Sequence, residues 1–219
     1  ESVTYTVRRN NIEVTASHRF CNAAPVTIAI YYGMQSMFEG ETHVLTPGGA
    51  YTDWTEAAKA STFTKQEYPL FRRYVEKNRQ GYQATWLLPD GLGDHALLDG
   101  QDDIFIYAPY GKSYHKLIGN KRMENGDKTC WRGVYTWFET PVADDADLLC
   151  YEGSVGGHTA VFIDCKRACK RTLALPGYLD LRHFGTAEQN GGIRISAAGR
   201  NKLKIKADAP GSCVLLLRE

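Results

Sequence analysis

Two histidines stand where an imidazole could carry acid–base chemistry. His18 continues an apolar alternation that begins at Ile12, so we expect it on the inward or concave face of a strand. His115 lies in the polar segment 112–115, which is typical of a loop. An imidazole changes charge near physiological pH and can serve as a general acid or base. Both are candidate catalytic residues; for each, the alternative is a structural histidine that is hydrogen-bonded to the backbone.

Glu139 is the first carboxylate to consider as a partner for such a histidine, and Glu152 is the second. Glu139 follows the Trp-containing segment 134–138, which places it at the end of a predicted strand. Glycoside hydrolysis uses two carboxyl groups that flank the scissile bond and come from different strands, so chain spacing cannot reveal the pair. The alternative for either glutamate is an edge or loop charge. No phosphate-binding loop, nucleophile elbow or dinucleotide fingerprint occurs in the sequence.

Aromatic side chains are grouped with amide and charged side chains in two parts of the sequence. One group runs through residues 31–37 and 46–54, and the other through residues 79–86 together with residue 131. A sugar packs its C–H face on an aromatic ring while its hydroxyls meet donors and acceptors nearby. The alternative is that these rings cap the end of a core. We expect loops to present the following sugar-binding residues: Tyr32, Gln35, Tyr51, Trp54, Arg79, Tyr82, Trp86 and Trp131.

Metal and cofactor signals are weak. An acidic, glycine-containing segment could bind calcium, although its spacing does not match the calcium-loop pattern, and we predict no other metal and no cofactor. A solvated turn is the alternative for this segment, which contains Asp90, Asp94, Asp99, Asp102 and Asp103.

Six cysteines are compatible with an oxidising compartment. Cys165 and Cys169 are the closest pair, for which a disulfide and free buried thiols are both open.

The overall composition limits the partners. The 219 residues carry a formal net charge of +1, which argues against nucleic acid or an anionic membrane as a partner. No apolar run approaches the roughly 20 residues that span a bilayer. The chain begins with Glu1 rather than Met and leads directly into a predicted strand. We therefore expect an exported protein, secreted or periplasmic, and this start also permits a catalytic domain upstream in the same protein.

The elements that must position these side chains are mostly strands. Alternation with a period of two predicts strands over residues 3–7, 12–20 and 26–32, with a turn at Asn10–Asn11, and these three strands should form a meander. Further short strands are predicted at 104–107, 134–138, 160–163, 173–175, 193–195, 203–207 and 214–217. Residues 55–65 and 69–78 could each form a short helix. The prediction is one all-β domain over residues 1–219, an antiparallel β-sandwich with one or two short helices.

Four short motifs resemble a known family. They are His18-Arg-Phe with Asn22, Pro25-Val26, Tyr31-Tyr-Gly-Met-Gln35 and Thr46-Pro-Gly-Gly. Their pattern resembles the large antiparallel sandwiches of the galactose-mutarotase-like type, and the secreted β domains that accompany polysaccharide-degrading enzymes. The resemblance implies a supersandwich fold and, in the mutarotases, a histidine acid and a glutamate base on a concave sheet. His18 is the candidate for that histidine.

Three functions follow as hypotheses. The first is a carbohydrate-associated domain of an exported glycan-processing protein, which binds sugar through aromatic and amide-bearing loops. The second is a carbohydrate-active enzyme, a glycoside hydrolase, lyase or epimerase, that pairs a histidine with a glutamate or a tyrosine. The third is a structural or protein-interaction sandwich.

Overall fold

The computed structural model describes residues 1–37, 43–46, 52–53, 73–88 and 112–217. Every regular element within these residues is a β-strand, which confirms the all-β prediction. The strands are β1 (Ser2–Arg8), β2 (Asn11–Arg19), β3 (Val26–Met37), β4 (His43–Thr46), β5 (Thr52–Asp53), β6 (Arg73–Asn78), β7 (Gly81–Leu87), β8 (Lys112–Met123), β9 (Lys128–Phe138), β10 (Ala143–Asp144), β11 (Leu148–Val155), β12 (His158–Cys165), β13 (Cys169–Ala174), β14 (Phe184–Gln189), β15 (Ile193–Gly199), β16 (Lys202–Ala207) and β17 (Gly211–Leu217). None of the described segments forms an apolar helix of the length that a bilayer requires.

The strands pair into three antiparallel sheets and one two-stranded ribbon. The seven-stranded sheet has the order β1-β2-β9-β7-β6-β4-β5, and the five-stranded sheet has the order β10-β11-β12-β17-β14. The three-stranded sheet is β13-β16-β15, and β3 with β8 forms the ribbon. Short strands of alternating pattern need a second layer to cover their apolar faces, which is why the sheets stack.

One core lies between the seven-stranded and the five-stranded sheet. Val134 and Trp86 from the first sheet pack against Leu149, Tyr151 and Phe162 from the second. Four rings stack in series across this interface, with centroid separations of 4.8, 4.6 and 4.7 Å, in the order Tyr82, Phe138, Tyr151, Phe162. Stacked aromatic pairs add stabilisation beyond the area they bury. The core therefore fixes β7 and β9, and β9 also carries residues of the candidate site.

A second core covers the opposite face of the five-stranded sheet. Ile163 and Leu215 pack there against Leu203 and Ile205 of β16. Strands β12 and β17 are thus buried on both faces, which explains why their sequences are nearly continuous apolar runs. The three-stranded sheet presents its other face to solvent.

The ribbon lies on the outer face of the seven-stranded sheet, the face turned away from the five-stranded sheet. Contact is close at two glycines: a Cβ at Gly133 of β9 would overlap Met34 of β3, and a Cβ at Gly33 would overlap Leu117 of β8. Met34 and Leu117 are completely buried. Glycine at position 133 lets the ribbon approach the sheet, and glycine at position 33 leaves room for Leu117 within the ribbon.

The first predicted strands are confirmed, but their arrangement differs from a meander. Strands β1 and β2 form a hairpin, whereas β2 also pairs with β9, and β3 pairs with β8. The turn lies at Arg9 and Asn10 rather than at Asn10 and Asn11, and Arg9 has the positive φ of 47°. Local alternation identified the strands, while β8 and β9, the distant partners of β3 and β2, lie at least 75 residues further along the chain.

The helix prediction over residues 69–78 is wrong for its described part, because Arg73–Asn78 is strand β6. This strand forms a hairpin with β7 and is buried on both faces along its first four residues, so it shows no simple polar alternation. The segment 55–65 and the strand predicted at 104–107 lie outside the described residues.

Candidate functional site

Strand register gathers several aromatic side chains on the outer face of the seven-stranded sheet. Val7 pairs with Ile12, and Ile12 pairs in turn with Tyr135. Because alternate residues of a strand share a face, Tyr5 lies on this face with Val7, and Trp137 lies on it with Tyr135. We call Tyr5, Tyr135 and Trp137 the aromatic strip.

Tyr135 is held in place by its hydroxyl group. This hydroxyl accepts a hydrogen bond from the backbone N–H of Gln35 and donates one to the carbonyl of Gln35, both at 3.0 Å. The Tyr135 ring stacks with Trp137 at 5.9 Å between centroids and 20° between planes. Burial raises the pKa of Tyr135 to about 12, so the phenol is neutral at physiological pH and remains a donor.

The aromatic strip combines rigidity with access. Tyr135 and Trp137 are half-buried, whereas Tyr5 is 66% exposed. The side chain of Gln35 is exposed beside Tyr135, and Tyr32 on the same strand is 36% exposed. Flat rings next to amide and phenol groups can pack on the C–H face of a sugar and meet its hydroxyls.

His18 lines a separate cleft at the other end of β9. Its Nδ1 lies 3.1 Å from the Thr129 hydroxyl oxygen, and its Nε2 lies 3.2 Å from Oε1 of Glu1. The Tyr31 hydroxyl lies 3.5 Å from the same Nε2, with the two rings edge to face. The cleft has a volume of about 410 Å³ and is lined mainly by the start of β1, the end of β2 and the start of β9. We call His18, Glu1 and Tyr31 the His18 cluster.

Trp131 is buried beneath the His18 cluster and is hydrogen-bonded to one of its members, Tyr31. Its indole Nε1–H donates a hydrogen bond of 2.9 Å to the Tyr31 hydroxyl oxygen. Burial raises the pKa of Tyr31, and this hydrogen bond offsets the rise only in part. Because the Tyr31 oxygen accepts from Trp131, its own proton is free to point toward His18. Which nitrogen of His18 carries a proton decides whether the imidazole accepts from Tyr31 or donates to Glu1.

The aromatic strip and the His18 cluster are two sites on one face. Tyr135 and Trp131 are four residues apart on β9, which is about 13 Å along a strand. Gly133 lies between them and is covered by Met34 of the ribbon. The ribbon therefore separates the two sites.

The three predicted catalytic residues do not come together. His18 pairs with Thr129 near the start of β9, whereas Glu139 follows Phe138 at its end, so roughly 30 Å of extended strand lies between them. His115 is completely buried in β8 against the Tyr74 ring, at 5.1 Å between centroids, so its predicted polar loop is wrong. The carboxylate beside His18 is Glu1.

The second predicted aromatic patch is largely structural. Trp86 is 2% exposed and donates its indole N–H to Glu188 at 2.9 Å, so the prediction of an exposed loop is wrong for it. Trp131, at 6% exposed, is also buried. Tyr82 stacks in the core and donates to Asp144 at 2.8 Å. Arg79 is exposed in the turn between β6 and β7, and Glu139 is exposed beyond β9. Tyr51 and Trp54 lie outside the described residues.

Several of the described aspartates form ion pairs with lysine or arginine side chains of the chain. The Asp144 carboxylate accepts from Lys77 at 2.6 Å, from Lys166 at 2.7 Å and from Tyr82. Within the described part of the chain, no group of three or more His, Cys, Asp or Glu side chains could hold a metal ion. The segment predicted as a calcium candidate, residues 90–103, lies outside the described residues.

All six cysteines are free thiols, with the sulfurs of Cys165 and Cys169 3.9 Å apart.

Sequence reasoning missed Tyr5, Tyr135 and Trp137 as a group. The alternate positions of β9 from Trp131 to Trp137 read Trp, Gly, Tyr, Trp, which signals one aromatic face opened by a glycine. That signal shows which rings share a face, but only the register with β1 and β2 brings Tyr5 to them.

Comparisons with protein-family models, with curated proteins and with solved structures find no match to this chain. The geometry of the aromatic strip and of the His18 cluster is therefore the basis on which a function can be assigned.

Proposed function

We propose that this chain is a carbohydrate-binding β-sandwich domain of an exported glycan-processing protein, and that the aromatic strip holds the sugar. The observation that carries the proposal is the stacked pair of Tyr135 and Trp137, half-buried on the outer face beside the exposed ring of Tyr5. Such rings offer a flat apolar surface of the size that a sugar ring covers.

The anchoring of Tyr135 supports this proposal. Its hydroxyl is tied twice to the backbone of Gln35, and its ring is fixed against Trp137. A platform that is already ordered loses little conformational entropy when it binds a ligand, so more of the contact energy remains as affinity. The exposed amide of Gln35 supplies a polar group on β3, the ribbon strand that contacts Tyr135.

The decisive experiment compares two exposed tyrosines by glycan array and isothermal titration calorimetry. Tyr5→Ala removes a ring of the strip, and Tyr178→Ala removes a ring of similar exposure, 69% against 66%, which bonds to Glu152 elsewhere on the surface. Losing the apolar contact of Tyr5 should cost about 1.5 kcal/mol, roughly a tenfold loss of affinity. Tyr178→Ala should bind as the wild type does, and circular dichroism should show both variants folded. Failure of the wild-type domain to bind any glycan, or equal affinity of both variants, would refute the proposal.

A second candidate function is a carbohydrate-active enzyme, namely a glycoside hydrolase, lyase or epimerase. The observation that favours it is the placement of His18 within 3.5 Å of Tyr31 and of Glu1 in a solvent-accessible cleft. A tyrosine and a histidine in hydrogen-bond reach can pass a proton to or from a sugar hydroxyl or ring carbon. Here the acid–base pair would be His18 with Tyr31, or His18 with Glu1.

Product analysis tests this second function. Release of reducing ends, unsaturated sugars or epimerised product should fall about 100-fold or more in His18→Gln and in Tyr31→Phe. Tyr178→Phe serves as the control and should keep full turnover. If a glycan binds to the domain but is itself chemically unchanged afterwards, the enzyme function is excluded for that glycan.

Three further expectations remain predictions. They are export to the periplasm or the exterior, an upstream catalytic domain in the same protein, and the resemblance to galactose-mutarotase-like sandwiches. Each is consistent with a domain that holds a glycan near an enzyme. Mass spectrometry of the protein isolated from its native source would show both its compartment and its full length.

A further inference from the structure

The solvent-facing side of the three-stranded sheet carries a dense array of cations. Alternation along β13, β16 and β15 turns the apolar residues toward the core and leaves the opposite positions exposed. Five of those exposed positions are basic, and we call them the basic face: Lys170, Arg194, Lys202, Lys204 and Lys206.

Strand register sets the spacing of these charges. Lys206 pairs with Lys170 on one side and with Arg194 on the other, so three cations form one row across the sheet. Paired residues have their Cβ atoms about 5 Å apart, and successive lysines along β16 are about 7 Å apart. Like charges at this spacing repel one another, and such an arrangement favours an anionic counterpart.

The chain supplies little countercharge on this face. Asp208 pairs with Arg194 at 2.5 Å and reaches Lys206 at 3.6 Å. Among the residues that the structure describes, Lys170, Lys202 and Lys204 form no ion pair. The net charge of +1 for the whole chain therefore conceals a strongly positive local surface.

The shape and chemistry of the surface indicate which anion fits. The sheet bounds a cavity of about 480 Å³ whose lining contains Lys170, Arg194, Lys204 and Lys206 of the basic face and the hydroxyls of Thr172 and Ser196. This concave part of the basic face, which we call the trough, suits a polymer chain better than the plane of a bilayer. The described residues of this lining include no aromatic ring on which the bases of single-stranded nucleic acid could stack. Hydroxyl groups between cations can bond to the hydroxyls and acidic groups of a sugar chain.

We propose that the basic face binds an acidic polysaccharide, a chain that bears sulfate or carboxylate groups, with the polymer lying along β16. This surface lies on a different sheet from the aromatic strip. Binding here is independent of the proposed function, and each can fail without the other.

The test measures binding of heparin, a sulfated polysaccharide, to the full chain by calorimetry at about 50 mM salt, where surface charges are weakly screened. The trough variant is Lys204→Gln/Lys206→Gln. The matched control is Arg8→Gln/Arg122→Gln, which removes the same charge from exposed positions on β1 and β8. Parallel titrations use neutral dextran, duplex DNA and vesicles rich in phosphatidylserine.

We expect heparin to bind, dextran not to bind at this face, and affinity to fall as salt is raised. Exposed ion pairs contribute modestly to binding, so loss of two lysines should weaken heparin binding about tenfold, while the control should change it less than about twofold. Tyr5→Ala should leave heparin affinity unchanged. Absence of heparin binding, or equal weakening in the trough variant and its control, would overturn the proposal. Tighter trough-dependent binding of DNA or of vesicles would overturn the polysaccharide as the occupant.

Discussion

The ion pair between Arg73 and Asp164 crosses the main core, and breaking it should destabilise the fold more than any change at the surface. Two parallel hydrogen bonds join Arg73 to the Asp164 carboxylate, at 2.8 and 2.5 Å. The two side chains are 1% and 0% exposed. Arg73 also donates to the Tyr151 hydroxyl at 3.2 Å and lies over the Phe162 ring. Burial by itself lowers the pKa of Arg73, but the Asp164 carboxylate together with Tyr151 and Glu188 outweighs that effect and raises the pKa, so the guanidinium stays charged.

The magnitude follows from what each change leaves behind. Arg73→Met leaves a buried carboxylate without its cation, and Asp164→Leu leaves a buried guanidinium without its anion. Breaking a buried pair in this way typically costs about 3–5 kcal/mol, a large part of the roughly 5–15 kcal/mol by which a domain is stable. The double variant Arg73→Met/Asp164→Leu removes both charges and keeps the site filled, so it should lie within about 2 kcal/mol of the wild type.

Urea unfolding followed by tryptophan fluorescence measures these free energies, because Trp86 lies in the same core. We expect the free energy of unfolding to fall by at least about 3 kcal/mol in each single variant. The double-mutant cycle formed by the wild type, the two single variants and the double variant should show a coupling energy of similar size. A single variant that is too unstable in buffer can be measured with added sucrose, which stabilises the folded state. Single changes that cost less than about 1 kcal/mol, or a double variant that costs the sum of the two, would show that the pair is solvated and would refute the reasoning.

Two further predictions concern packing and pH. Gly133→Ala should destabilise the fold by about 1–3 kcal/mol, because the new methyl group overlaps Met34. Gly177→Ala is the control, because its Cβ meets no described atom within 4 Å. The free energy of unfolding of this control should stay within about 0.5 kcal/mol of the wild type in the same urea titration. Burial alone would raise the pKa of Asp144, but the hydrogen bonds from Lys166, Lys77 and Tyr82 outweigh it and lower the pKa to about 2. The folded state then holds this carboxylate ionised, so the corresponding stability, roughly 2 kcal/mol, is present above pH 4 and is lost as the pH falls toward 2. Asp144→Asn should flatten that part of the stability curve measured by thermal melts, and an unchanged slope would contradict the assignment.

Side-chain alternation is enough to identify many of the strands. It predicted β1, β2 and β3, and it predicted β12, β15, β16 and β17 with boundaries within a few residues. It also placed His18 on the same face as Ile12 and Val14, as the register with β9 confirms. These features are local, because side chains two residues apart on a strand share a face whatever lies opposite.

Burial of individual residues was less predictable. Trp86 and His115 were expected in exposed loops, yet both lie in strands covered by another layer. Strand β6 is buried on both faces, so its polar and apolar residues do not alternate, and with Pro69 at an allowed first-turn position the segment also fits a short helix. Whether a polar residue such as Arg73 is buried depends on the partner it meets, and Asp164 lies 91 residues away.

The sequence by itself determined that the chain forms antiparallel β-layers and which side chains share a strand face. Tertiary structure alone decided which strands pair, which faces are covered and which remain open. The aromatic strip and the basic face both depend on register between strands that are distant in the chain. The physical reason is that local alternation carries no information about the partner, whereas binding surfaces arise only where the sheets leave a face uncovered.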